Sequence, residues 1–295
     1  MKLGFLGLGI MGAPMALRLL EHGYAVTVWN RTAAKLAPVL ERGAKAAGTP
    51  GEVARTSEIV LMALLDTRAV EETVFGPDGV ATAPGEGKVL VDHASIRPDA
   101  TREFAARLKR ANGMEWIDAP VSGRVPGPGD GSGSLAIMAG GDAAVFERVK
   151  PVLAAYGKNV TRVGPVGAGQ TTKLCNQIIV GTTIAIVAEA VRLAESAGVD
   201  ARLLPVALAG GQADSRPFRT WLPRMVDGWS ERLAAANLFV KDIGTALDVA
   251  RETGTPLPVA ECVLTQYRAL DARGEGELDP AAIVNLYPHS KAPRP

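Results

Sequence analysis

Short apolar runs alternate with amphipathic stretches along the first half of the chain. Lys2 to Leu6 reads as a buried strand, Ala13 to Glu21 as a helix that Gly23 ends, and Tyr24 to Trp29 as a second strand, with a glycine cluster between the first two. The opening segment is therefore one β-α-β unit. Further strand candidates at Ile59–Leu64, Val89–Asp92 and Met114–Ile117 are separated by the helical patterns Ala69–Val74 and Asp99–Ala111. Strands alternating with helices predict the α/β class, a parallel sheet with helices on both faces. Leu135–Met138, a helix over Ala143–Tyr156 and a strand over Asn159–Val163 complete this half.

The pattern then changes. Gly164, Pro165, Gly167 and Gly169 break both periods, and the second half of the chain is all helical: one long helix from Thr171 to Ser196, ending at Gly198, then shorter ones near Ala201–Ala209, Pro217–Asp227, Asp242–Thr253, Pro258–Ala272 and Pro280–Leu286. The expectation is a Rossmann-type dinucleotide-binding domain over 1–163 followed by an all-α domain over 164–295. Within the first, GRVPGPGDGSGS from Gly123 to Ser134 is loop by composition and sits where a substrate loop belongs. The apolar stretch Leu174 to Val191 contains Asn176, Gln177, Thr182, Thr183 and Glu189, too many polar groups for lipid. It reads as a buried helix with no membrane partner. It is also too apolar for one small helical domain to cover, so a homodimer or homotetramer interface is expected on it.

Composition narrows the function. Hydrophobic residues are 47% and charged ones 21% of 295 residues, the balance of a globular protein, and a net charge of +1 leaves no footprint for a nucleic-acid partner. The two cysteines, Cys175 and Cys262, give no disulfide framework and no metal-ligand spacing; they read as buried thiols in a reducing compartment, with no metal. The apolar run after Lys2 is punctuated by glycines and Pro14 and lacks a small-residue cleavage site, so the chain is expected to be cytoplasmic.

GLGIMG, residues Gly7, Leu8, Gly9, Ile10, Met11 and Gly12, joins a predicted strand to a predicted helix, the context that makes the pattern specific for a dinucleotide. Gly7 permits the tight turn, Gly9 lets the backbone approach a pyrophosphate, Gly12 lets helix pack close to strand, and the helix N-terminus stabilises the negative charge. The end of the second strand selects the cofactor, because a carboxylate there accepts from the ribose 2′-hydroxyl of NAD. Asn30, Arg31 and Thr32 supply none, while a guanidinium and a hydroxyl suit the 2′-phosphate of NADP. NADP is the preferred reading; an exposed Arg31 with NAD tolerated is the alternative.

Hydride transfer between a carbinol and nicotinamide needs a group that takes or gives the hydroxyl proton. His22 in the outer part of the first helix, His93 after a strand-end aspartate and His289 in the tail all read as structural, which leaves lysine. Four motifs together, GLGIMG, DAPVSG at Asp118–Gly123, GAGQTTKLCNQ at Gly167–Gln177 and KD at Lys241–Asp242, give the chain a strong resemblance over nearly its whole length to the β-hydroxyacid dehydrogenase family, which includes 3-hydroxyisobutyrate dehydrogenase and tartronate semialdehyde reductase. The resemblance implies that Lys173 is the acid/base, that Ser122 and Gly123 hold the substrate carboxylate, and that Asn176 assists from the same helix. Lys173 and Asn176 are three apart, so both project from one helical face.

A free lysine has a pKa near ~10.4 and is a poor base at neutral pH, so the mechanism asks for burial or a neighbouring positive charge, for which Lys241 is a candidate. The resemblance also places Lys241 on the cofactor near the nicotinamide, with Asp242 ordering the site, and adds cofactor contacts at Leu64, Leu65 and Ser95. Two departures stand out: Leu65 replaces a usual proline, and Arg124 follows Ser122–Gly123 where a second glycine is usual. Arg124 either meets a second acidic group of the substrate or is exposed. The leading expectation is an NAD(P)-dependent oxidoreductase acting on a small 3-hydroxy acid, with KLCNQ and the AGGQADS segment at Ala209–Ser215 closer to the tartronate semialdehyde side. The alternatives are reduction of glyoxylate, succinic semialdehyde or an imine on the same fold, and a non-catalytic dinucleotide-binding module. Imine reducers commonly lack the lysine, and retention of Lys173, Asn176 and Ser122 speaks against the module.

Overall fold

The computed structural model describes residues 1–123 and 135–288. In chain order the elements are β1 (Lys2–Leu6), α1 (Gly12–Glu21), β2 (Ala25–Trp29), α2 (Ala37–Leu40), β3 (Lys45–Ala46), α3 (Pro50–Thr56), β4 (Ile59–Met62), α4 (Thr67–Phe75), β5 (Val89–Asp92), α5 (Pro98–Asn112), β6 (Glu115–Asp118), β7 (Val121–Ser122), β8 (Leu135–Gly140), α6 (Ala143–Leu153) and β9 (Gly157–Gly164). Then come α7 (Ala168–Ser196), α8 (Leu204–Ala207), α9 (Arg216–Asp227), α10 (Asn237–Thr253) and α11 (Pro258–Ala272), with a 3₁₀ segment at Pro280–Leu286. Two compact units result, Met1–Lys173 and the helical remainder from Leu174, the division falling inside α7.

The sheet of the first unit runs β3-β2-β1-β4-β5-β6-β8-β7, with β9 paired to β8. Its parallel core, 3-2-1-4-5-6, reverses direction between β1 and β4, the switch point at which doubly wound sheets bind dinucleotides. Alternate residues of each strand bury on opposite faces. Leu3, Phe5, Ile59, Leu61, Val89 and Val91 pack with α1 and α6, whereas Leu6, Val60, Met62 and Leu90 pack with α3, α4 and α5. The alternation of strands and helices predicts a purely parallel sheet; β8 instead lies antiparallel to both β6 and β7. Connectivity agrees with this: β7 is a two-residue strand just after β6, and β8 follows closely in sequence, whereas parallel neighbours are joined by long crossovers. The short β3 and α3 lie outside the predicted elements, since Pro50 and Gly51 in TPGEVART mask a helix that Thr49 caps by accepting from the Glu52 N–H.

The helical unit builds its core from α7, α9, α10 and α11, with Ile184, Val187, Ala188 and Val191 of α7 against Trp221, Leu222, Phe239, Ile243 and Tyr267. By length and composition α7 passes for a membrane span, its best 18-residue window having mean hydropathy 1.7. Its buried face belongs to this core, so it is a core helix. Cys175 and Cys262, expected to be buried, are free and exposed, because each falls on the outward side of its helix.

Candidate functional site

The predicted cofactor residues other than Lys241, which lies on α10, leave the carboxyl ends of four adjacent strands. Gly7 follows β1, Asn30 follows β2, Leu64 and Leu65 follow β4, and Ser95 lies three residues beyond β5. Gly7 has φ +91°, and a Cβ there would stand 2.5 Å from the Ala63 carbonyl oxygen, so no other residue fits the turn. At Gly12 a Cβ would sit 1.9 Å from the Gly7 carbonyl oxygen, which is how closely α1 approaches the turn. At Gly9 it would meet nothing within 4 Å. Space therefore lies over the turn, at the N-terminus of α1, whose first turn carries no acidic residue and no side-chain cap. Amide donors, open space and a positive dipole end fit a pyrophosphate.

Asn30 has a second task. Its Oδ1 accepts from the Leu8 N–H at 2.8 Å and its Nδ2 donates to the Thr32 carbonyl at 2.8 Å, tying the glycine turn to the end of β2. Arg31 and Thr32 are exposed beyond it, as is Ile10, while Leu64 lies over Gly7 and Leu65 faces solvent.

At the ends of β5 and β6 is a buried polar cluster. Asp92 and Asp118 are register partners at the strand ends, and both are fully buried. Asp118 accepts from the Gly167 N–H at 2.7 Å and the Gln170 N–H at 3.0 Å, capping the start of α7 from some fifty residues away in sequence. Burial raises its pKa and those backbone donors oppose the rise. Asp92 has fewer donors: Oδ1 accepts from Ala94 N–H and Oδ2 has no partner, and burial, with Asp118 beside it, pushes its pKa well up. Of the pair, Asp92 is the one whose surroundings favour the protonated form more.

His93 is 6% exposed, its Nδ1 2.6 Å from the Ala119 carbonyl and its Nε2 2.8 Å from the Tyr156 hydroxyl. A carbonyl only accepts, so Nδ1 carries the proton and Nε2 accepts from the phenol, which burial keeps protonated. Burial lowers the His93 pKa to about 4. The histidine is a neutral brace, as the sequence suggests. Gln170, 1% exposed, donates to the Ala94 carbonyl at 2.8 Å and accepts from the Ile96 N–H at 3.3 Å, clamping the loop that carries Ser95 onto the first turn of α7.

One turn later, Lys173 Nζ donates to the carbonyl of Val121, the residue before Ser122, at 2.9 Å. Ser122 is half-buried, Gly123 is exposed with φ +115°, and Arg124 lies outside the described residues, as do the rest of the loop to Ser134 and His289. The first unit thus brings Lys173, Ser122 and Gly123 together. Asn176 comes next on α7 and belongs to a second cluster within the helical unit. There Asn176 Nδ2 donates to Gln177 Oε1 at 2.9 Å, Gln177 Nε2 donates to Asp242 Oδ2 at 2.6 Å, and Lys241 Nζ pairs with Asp242 Oδ1 at 3.0 Å. No cluster of metal-ligating side chains occurs among the described residues.

The glycine turn at a sheet switch point and a lysine beside a serine-bearing strand define a dinucleotide-dependent oxidoreductase. The family model of the NAD-binding domain of 6-phosphogluconate dehydrogenase matches residues 2–164, and that of the NAD-binding region of NADP-dependent 3-hydroxyisobutyrate dehydrogenase matches 167–287. The chain is 41% identical to a 2-hydroxy-3-oxopropionate reductase of Escherichia coli, over 96% of each chain. It is 30% identical to an NAD-dependent L-serine dehydrogenase of Pseudomonas aeruginosa, over 97% of each. A solved 3-hydroxyisobutyrate dehydrogenase from Salmonella typhimurium superposes with a TM-score of 0.85 at 30% identity, covering 97% of this chain and 99% of that one. The chain belongs to the β-hydroxyacid dehydrogenase family. It is an NAD(P)-dependent hydroxyacid dehydrogenase.

Proposed function

We propose that the protein interconverts a small 3-hydroxy acid of the 3-hydroxyisobutyrate or glycerate kind and its semialdehyde, with NADP favoured over NAD. The observation that carries this reading is the Lys173 amine held on the carbonyl of Val121, next to Ser122. Ser122 and Gly123 hold the substrate carboxylate, Asn176 contacts the substrate from the next turn of α7, and Lys173 faces the reacting oxygen. Bound nicotinamide supplies the hydride acceptor or donor. In oxidation neutral Lys173 takes the carbinol proton; in reduction its ammonium gives that proton to the carbonyl oxygen. The Val121 carbonyl keeps Nζ in place in both states, since it accepts from amine and ammonium alike.

For the cofactor, the turn Gly7, Leu8, Gly9, Ile10, Met11 and Gly12 holds the pyrophosphate, Asn30, Arg31 and Thr32 read the adenosine ribose, and Leu64, Leu65, Ser95 and Lys241 contact the remainder. Exposed Arg31 with no carboxylate beside it in sequence supports the 2′-phosphate. The 41% identity to the 2-hydroxy-3-oxopropionate reductase supports the glycerate side. A cytoplasmic homodimer or homotetramer completes the proposal: Ile179, Ile186 and Leu193, at heptad spacing on α7, are exposed at 65%, 55% and 71%, one apolar stripe for a second copy. Sedimentation of the pure protein as a monomer counts against that part.

The test is a spectrophotometric panel of glycerate, 3-hydroxyisobutyrate, 3-hydroxypropionate, serine and succinic semialdehyde with each nicotinamide cofactor. Turnover of a 3-hydroxy acid with a lower KM for NADP than for NAD is expected. Turnover confined to succinic semialdehyde overturns the substrate class, and a much lower KM for NAD overturns the cofactor preference.

A further inference from the structure

The amide chain in the helical unit has a fixed polarity. Asp242, paired through Oδ1 with the Lys241 ammonium, presents Oδ2 to Gln177, and a carboxylate only accepts. Gln177 must therefore turn its Nε2 to Asp242. Its Oε1 then points at Asn176, which must answer with Nδ2. Side chains adjacent in sequence on a helix diverge by about 100° and do not ordinarily meet, so this contact is a specific one. The consequence falls on Asn176, whose Oδ1 is left on the opposite side of the carboxamide, half-exposed and with no hydrogen-bond partner among the described residues. An oxygen there accepts; it repels a carboxylate and welcomes a hydroxyl.

The substrate assignments above, on which this inference rests, leave one group for Asn176. The carboxylate goes to Ser122 and Gly123, and the C3 oxygen to Lys173. Asn176 rises about 4.5 Å along α7 from Lys173, a separation on the scale of the three bonds that link the C3 oxygen to a C2 oxygen. What remains is the substituent on C2. We propose that Asp242, acting through Gln177, locks the Asn176 carboxamide with its oxygen toward the substrate, where it accepts from a C2 hydroxyl. Gln177 is then a positioning residue that selects 2,3-dihydroxy acids over 3-hydroxy acids with no donor at C2.

Steady-state oxidation of glycerate and of 3-hydroxypropionate, at saturating cofactor, separates this from a structural role. Wild type is expected to show the lower KM for glycerate. Gln177→Met keeps the length and removes both amide ends; it should raise KM for glycerate about tenfold more than KM for 3-hydroxypropionate, the worth of one hydrogen bond whose partner goes unsatisfied. Asp242→Asn, whose amide can donate as well as accept, should shift the same ratio by about threefold. An equal rise for both acids, no rise, or no wild-type advantage for glycerate overturns the lock while leaving the hydroxy-acid activity standing. Turnover of neither acid by wild type overturns that activity and the lock with it. Should Gln177→Met fail to fold, the Asp242→Asn ratio decides.

Discussion

Lys173 and Lys241 make contacts of different kinds. The groups that lead to Lys173 in the first unit, Asp118, Gln170 and His93, are at most 6% exposed, and the amine itself meets a neutral carbonyl at 2.9 Å. Lys241 is half-exposed and meets a carboxylate at 3.0 Å. A carbonyl accepts from ammonium and, more weakly, from amine, so Lys173 can change charge without abandoning its contact. Lys241 is instead tied to Asp242 by an ion pair. The first contact suits a group that passes a proton, the second one that positions a neighbour.

The largest effect that tests this contrast is on turnover. Lys173→Ala should lower kcat by about 10³-fold or more, in line with the loss of a positioned acid/base, with the cofactor Kd within a few fold of wild type as read by fluorescence titration. Lys241→Ala should instead act mainly on cofactor affinity, with a smaller loss in kcat. Equal losses in kcat for both variants would erase the distinction.

The buried cluster has a pH signature. The folded pKa of His93 is about 4 against 6.5 when unfolded, so the unfolded chain binds the extra proton between these values and stability falls as pH drops through that window. A shift of this size corresponds to about 3 kcal/mol. Comparing thermal unfolding of wild type and His93→Gln from pH 7 to pH 4, the wild-type advantage should shrink by about that amount. A constant difference across the window would mean that His93 is not held neutral.

Gln170 tests the same region without charge. Gln170→Leu leaves the Ala94 carbonyl and the Ile96 N–H buried without their partner, at a cost of about 2–4 kcal/mol, read as a lower midpoint in denaturant with unchanged slope. A loss below about 0.5 kcal/mol would show that the clamp matters little.

What the sequence shows and what it hides divide along locality. The glycine turn, the long α7 and the change from alternating to helical pattern are written in neighbouring residues, and the expected strand Val89–Asp92 and helix Pro258–Ala272 appear with those bounds. Asp118 and Gln170 are legible only as letters of motifs. Their work, capping α7 and clamping the Ser95 loop, joins positions 49 to 76 apart in the chain, which no periodicity reports. Asn30 reads as a ribose contact, while its bond to the Leu8 N–H spans 22 residues and exists only once β1 and β2 lie side by side. The antiparallel return of β8 is hidden for a different reason: alternating apolar residues fix which face is buried, and both strand directions satisfy that equally.

The smallest effect has the opposite sign to the others. Asp92 is buried beside Asp118, and its folded pKa lies well above its unfolded value. A raised acid favours the folded state while protonated, so its contribution is present below the ordinary carboxylate range and is lost as pH rises toward the folded pKa. Asp92→Asn keeps an oxygen for the Ala94 N–H and puts an amide where Oδ2 now lacks a partner, and it cannot ionise. The variant should therefore gain on wild type as pH is raised from 4 to 9 in thermal unfolding, by a few degrees at most. A gain that grows toward acid pH would instead place the ionised form of Asp92 in the folded protein, and the cluster around Lys173 would then be as charged as the one around Lys241.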